Sequence, residues 1–160
     1  MKLKYVSWIP AVIIMCIIFT FSAKTAIESD DSSLQIANVI IGIYEKSSGN
    51  ITDMSQKQEL LLQVDHIVRK MSHGLEYAVL AVFVAFHLGV CDLKRWKLFF
   101  TTILFSGTYA CTDEFHQLFV AGRSCQLTDV MIDATGATIG ATCFIILLIL
   151  QKRIRSKNTI

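Results

Sequence analysis

Apolar residues gather in four long stretches, about Tyr5 to Phe21, Tyr77 to Val90, Leu98 to Cys111 and Val130 to Leu150, set apart by polar connections. A bilayer core takes about 20 helical residues, so the first and last stretches come close to crossing it unaided. The two central stretches are about 14 residues each, roughly 21 Å at 1.5 Å per residue, and must borrow residues from their flanks. The pattern predicts spans at about 5–22, 71–91, 97–116 and 129–150. The expected fold is an all-α membrane protein with a bundle of four transmembrane helices, forming one integral membrane domain over residues 1–160.

The long connection between the first two spans has a pattern of its own. Leu34 to Tyr44 is almost continuously apolar and meets a Ser47-Ser48-Gly49-Asn50 turn signal, which predicts a short interfacial or re-entrant helix. A capping box, Ser55 with Gln58, opens a helix in which Leu60, Val64, Ile67, Met71 and Leu75 recur at three- and four-residue steps. This amphipathic helix is expected to run on into the second span.

Composition agrees with the pattern: 53% of residues are hydrophobic, mean hydropathy is +0.53 and there is a single Pro. A net charge of +2, with no basic run interleaved with aromatics, sets nucleic acid aside. The distribution of charge matters more than its sum. Lys2, Lys4, Lys94, Arg95, Lys97, Lys152, Arg153, Arg155 and Lys157 fall on one side of the four spans with Asp92 as the sole acid, so that side is expected to be cytoplasmic and to hold both termini. The first stretch follows two lysines as a signal peptide would, but the bulky Phe21 before Ser22 and Ala23 favours a retained span. Five cysteines at positions 16, 91, 111, 125 and 143 form no CxxC, and are expected to be unpaired. Trp8 and Trp96 fit an aromatic belt at the inner edge, and His66 and His87 fall outside the outer polar cluster.

The residues that the short central spans must borrow at their outer ends are polar. They are Lys70, His73 and Glu76 for the second span, and Asp113, Glu114, His116 and Gln117 for the third; Asp129 and Asp133 enter the first turns of the fourth. Lys70, His73 and Tyr77 recur at helical spacing, as do Asp113 with His116 and Gln117, and Asp129 with Asp133. Ionisable groups are costly in lipid, so three such stripes are expected to turn inward and share one outward-opening site. Gly136 and Gly140 form a GxxxG pattern on the Asp133 face, suited to close approach of another helix.

Three chemistries fit these residue types. His73, Glu76, His116 and an Asp offer mixed nitrogen and oxygen ligands for a divalent metal, although the spacing matches no strong metal motif. Asp113 or Glu114 as base, His116 as its partner and Arg123 on a phosphate suit acid–base work on a lipid or peptidoglycan-precursor head group. Alternatively, Arg123 and Lys70 with Asp129, Asp133 and Glu76 form an ion-pair network that only holds the helices in register. His73, Glu76, Asp113, Glu114 and His116 are therefore the candidate catalytic residues, and Lys70, Gln117, Arg123, Asp129 and Asp133 the candidate ligand-binding ones.

The order of these pieces resembles the VanZ-like family of small bacterial membrane proteins. The resemblance covers Ile18-Phe19-Thr20-Phe21-Ser22, Val68 to His73 with Glu76-Tyr77, Tyr109 to Phe119, Gly122-Arg123, and Asp129 through Asp133 to Gly136. Ala121, Cys125 and Lys24 depart from it, where Pro, Gly and Gln are usual. The resemblance implies a polytopic plasma-membrane protein of the bacterial cell envelope. For the member that names the family it implies a part in resistance to the glycopeptide teicoplanin. Its expected partners are membrane lipids and a lipid-linked cell-wall precursor or glycopeptide.

Overall fold

The computed structural model describes residues 2–48 and 53–157, with the side chains of Lys2, Asp30 and Ser48 left aside. The chain is all-helical, with 87% of its residues in helix and no strand among those described. The helices are α1 (Lys2–Val6), α2 (Ile9–Ser22), α3 (Ala26–Ser48), α4 (Met54–Val90), α5 (Arg95–Gln117) and α6 (Leu127–Lys157). Three stretches are long and apolar enough to cross a membrane: Leu3–Ser22, Met54–Val90 and Leu127–Lys157. With 23 residues α5 has the length as well, but its buried Thr102, Ser106, Asp113, Glu114 and Gln117 make it less apolar than the other three.

Local chemistry explains the breaks. Pro10 sits in the first turn of α2, where its missing N–H costs nothing, and its ring disfavours an unbroken helix from α1. The α4 N-terminus is capped by Asp53, whose carboxylate accepts from the Met54 N–H at 2.8 Å and from Ser55 Oγ at 2.7 Å. The sequence reading assigned this cap to Ser55 with Gln58. The correction is that Ser55 spends its hydroxyl on Asp53, a carboxylate being the stronger acceptor for a helix N-terminus. At the far end of α4, Asp92 takes a left-handed conformation (φ 61°), and the N–H groups of Asp92 and Leu93 return to the Gly89 and Leu88 carbonyls.

The helix predicted over Leu34 to Tyr44 is the middle of the longer α3, and Gly49 and Asn50 of its turn signal lie outside the described residues. The residue that starts α3 is Thr25. Its hydroxyl accepts from the Glu28 N–H at 3.4 Å, while the Glu28 carboxylate accepts from the Thr25 N–H at 3.0 Å. Those bonds to Thr25 hold the Glu28 carboxyl below the usual carboxylate range.

α4 is the organising helix. It packs most extensively on α6, and also against α2, α3 and α5. Small residues make the α4–α6 approach close: a Cβ on Gly136 would overlap the Gly74 carbonyl, and one on Gly140 the Ala78 carbonyl. The GxxxG pair therefore packs on α4 within the chain. Ala11, Ile18, Tyr77, Leu80, Ala81, Val84, Ala110 and Ala137 form the core. Large apolar side chains such as Ile13, Ile17, Phe100, Leu104, Ile139 and Leu147 lie on the outside instead, as expected where the surroundings are hydrocarbon.

The basic ends of the chain come together. Lys4 reaches Asp92 at 3.5 Å, and Arg95 and Lys152 line one cavity with Asp92. His87 is held locally there, between Ser7 Oγ at 2.9 Å and Cys91 Sγ at 3.7 Å, and Trp8 meets it edge-on. The five cysteines are free.

Candidate functional site

At the opposite end a cavity of about 330 Å³ is walled by α3, α4, the end of α2 and the α5–α6 loop. Its α4 wall is Val68, Arg69, Ser72, His73 and Glu76, and its α3 wall is Ser29, Ser32, Ser33 and Ile36. Both sets step by three or four residues, so each is one helix face. Phe21 and Lys24 close the α2 end, with the Lys24 ammonium 4.9 Å from the Phe21 ring centre.

Arg123 comes from the loop, and backbone contacts to the start of α3 place it. The Ala26 N–H donates to the Ala121 carbonyl at 3.3 Å, and Arg123 Nε donates to the Lys24 carbonyl at 3.2 Å. Gly122, between the two carriers of these bonds, has φ +77°, and a Cβ there would press on Ala26 at 3.0 Å. The turn thus needs Gly both for its conformation and for its closeness to α3.

Three of the ten sequence-derived candidates line this cavity: His73, Glu76 and Arg123. Arg123, Lys70 and Arg69 all lie within electrostatic reach of His73, and Arg123 also of Glu76. Lys70 turns away, because a step of six residues rotates its direction roughly 120° from that of Glu76. It forms an ion pair with Asp129 that bridges α4 to α6, with side chains only 21% and 16% exposed. A double-mutant cycle on Lys70 and Asp129, followed by denaturant unfolding in detergent, is expected to give a coupling of about 0.5–3 kcal/mol. The single changes should cost more than that coupling, because each strands the other charge.

The acids of α5 and α6 gather behind Glu76. Asp113 and Asp133 are 3% and 1% exposed, and each lies within electrostatic reach of Glu76. All four of their carboxylate oxygens are buried without a hydrogen-bond partner of good geometry among the described residues, although Ser22 and Gln117 adjoin Asp113. The Tyr77 hydroxyl, equally buried and unpartnered among those residues, faces the same acids. Buried polar groups are almost always satisfied, so this cluster is exceptional.

The remaining candidates hold the frame. Glu114 accepts from the Gln126 N–H at 3.0 Å, placing a carboxylate at the start of α6, where it complements the helix dipole. Gln117 donates to Ser22 Oγ at 2.9 Å, tying α5 to α2. His116 stacks on Phe19 with ring centres 4.5 Å apart, outside the cavity wall. Tyr109 likewise donates to the Met15 carbonyl at 2.7 Å. Of the expected network joining Arg123 and Lys70 to Asp129, Asp133 and Glu76, the Lys70–Asp129 ion pair is formed, Arg123 lies within electrostatic reach of Glu76, and Asp133 has no hydrogen-bond partner among the described residues.

Sequence reasoning did not find Lys24, Ser29, Ser32, Ser33, Arg69 or Ser72 as cavity residues. The structure sets Arg69 on the cavity wall and 2.9 Å from the buried Asp65. Two signals were present: the Thr25 to Glu28 capping box, and the serine spacing that follows it. Among the described residues no three His, Cys, Asp or Glu side chains are grouped as metal ligands would be.

The model of the VanZ/LLP1 family matches residues 7–149 of this chain. No curated protein and no solved structure matches it.

Proposed function

The chain belongs to the VanZ/LLP1 family, and from that membership we propose that it is a four-span protein of the bacterial plasma membrane whose outward-facing cavity binds the phosphate-bearing head group of a lipid-linked or cell-wall component. One observation carries the reading: Lys24, Arg69, Arg123 and His73 converge with four serines on a single cavity. Guanidinium groups are donors that phosphate oxygens take in pairs, and the serines give the wall its polar lining while Ser32, Ser33 and Ser72 donate to carbonyls of their own helices. Where the bound group reacts, His73 and Glu76 are the side chains in the wall able to move a proton. A contribution to teicoplanin resistance belongs to this reading through the cell-wall component bound.

Arg123→Ala is expected to weaken binding of a polyprenyl phosphate at least tenfold, about 1.4 kcal/mol, in purified full-length protein, while stability falls by no more than the lost hydrogen bond to the Lys24 carbonyl, about 1 kcal/mol. Unaltered binding would sink the proposal. The competing reading, a module whose charges only lock helices together, is favoured by the Lys70–Asp129 bridge, and it expects binding and stability to fall together.

In this proposal α5 is the third crossing and both termini are cytoplasmic. Support comes from the meeting of Lys4, Asp92, Arg95 and Lys152 at one end, since such basic clusters stay inside. A variant stripped of other cysteines but keeping Cys125 should react with a membrane-impermeant maleimide on intact cells. Asp92→Cys in a cysteine-free chain should not. Equal labelling of both would remove α5 as a span.

A further inference from the structure

Glu76 does not fit a cavity built for phosphate alone. The other ionisable groups on the wall are Lys24, Arg69, His73 and Arg123, and a carboxylate among them repels an anion. Glu76 stands at the deep end of the α4 face, seven residues beyond Arg69, or about two turns. It lies within electrostatic reach of Arg123 on one side and of Asp113 on the other. Behind it Asp113, which Ser22 and Gln117 adjoin, and Asp133 are buried, and neither Asp133 carboxylate oxygen has a hydrogen-bond partner among the described residues. The cavity thus carries cationic groups with one carboxylate, Glu76, on its wall, and the buried acids Asp113 and Asp133 lie behind that carboxylate, outside the lining.

Resting on the phosphate-binding reading, we infer that the bound head group carries a primary ammonium as well as a phosphate. The phosphate sits against Lys24, Arg69 and Arg123, and the ammonium reaches inward to Glu76, with Asp113 behind it. A primary ammonium brings three N–H donors, whereas a quaternary one brings none. Only the former can donate hydrogen bonds to the Glu76 carboxylate on the wall. A volume of about 330 Å³ is at the small end for a ligand site, which suits a phosphoethanolamine-sized head group with its chains left in the bilayer.

The test uses detergent-solubilised full-length protein and short-chain lipids of identical acyl length, titrated by calorimetry. Dihexanoyl phosphatidylethanolamine is expected to bind at least tenfold more tightly than dihexanoyl phosphatidylcholine. In Glu76→Gln that ratio should fall to twofold or less, and Asp113→Asn should also narrow it if the first variant fails to fold. Dihexanoyl phosphatidic acid reports the phosphate alone. Binding of phosphatidic acid with equal affinity for the ethanolamine and choline lipids overturns the ammonium inference and leaves the phosphate reading standing. No binding of any of the three overturns both. Soluble phosphoethanolamine separates the two sources of this chemistry: binding as tight as the lipid's identifies a free phosphoamine as the ligand and overturns a membrane-lipid source.

Discussion

Gly136→Ala is expected to cost about 3 kcal/mol, at the upper end of what overpacking a well-packed interior does, and to lower the unfolding temperature in detergent accordingly. The new Cβ would overlap the Gly74 carbonyl, and that obstacle is backbone in the middle of α4. A flexible side chain could swing aside; a helix carbonyl cannot do so without moving its whole turn. Gly140→Ala meets the same problem at Ala78, one turn further along. The two costs should not add, because either substitution already forces the same helices apart. Gly107→Ala is the control: it lies inside α5 with nothing within 4 Å of its added Cβ, so its stability should rise by about 0.4–1 kcal/mol through helix propensity alone. A Gly136→Ala protein as stable as that control would show that α4 and α6 do not pack this closely.

The close approach matters to the site. Gly74 lies between His73 and Glu76 in sequence, and Gly136 lies one turn beyond Asp133. Where these two glycines meet, the carboxylates of α4 and α6 are drawn to one depth. The pattern Gly136-Ala137-Thr138-Ile139-Gly140 was legible in the sequence as a packing signal, but a lone GxxxG does not say which helix it meets. The partner, Gly74 with Ala78, is the same spacing on α4 and reads as a pair only once both helices are in place.

Long apolar runs and polar residues at their outer ends were equally legible, because both follow from the cost of placing charge in hydrocarbon. The convergence of Glu76, Asp113 and Asp133 follows from that cost. What was not legible came from helix phase and from α3. Lys70 and Glu76 bound an arc of roughly 120°, wide enough for its two edges to face different helices, so one polar stripe divides between Asp129 and the cavity. The serine wall was hidden because Ala26 to Ser33 is polar and short of large side chains, so hydrophobic periodicity begins only at Leu34. Arg123 was found as a residue but could not be placed, since its position rests on one backbone hydrogen bond, from Ala26 to Ala121, and on the bond from its own Nε to the Lys24 carbonyl.

Asp133→Asn separates a site from a scaffold more sharply than any change at the cavity wall. Asp133 is 1% exposed, and neither carboxylate oxygen has a partner among the described residues, so its present surroundings stabilise it poorly. The amide has nearly the same shape and removes the demand that a carboxylate makes on buried neighbours. Stability is therefore expected to rise by about 1–3 kcal/mol, the scale of an unmade buried hydrogen bond, as read by chemical unfolding in detergent. Head-group binding is expected to weaken in the same variant, because Asp133 acts on Glu76 and Asp113 electrostatically. Gain in one and loss in the other is the signature of a residue kept for function against its cost in stability. If Asp133 instead served to hold α6 against α4, the substitution would lower stability and function in parallel, as the Lys70 and Asp129 changes are expected to do. The contrast between these two aspartates, four residues apart on one helix, rests on a single difference: Asp129 is ion-paired with Lys70, whereas neither carboxylate oxygen of Asp133 has a hydrogen-bond partner among the described residues.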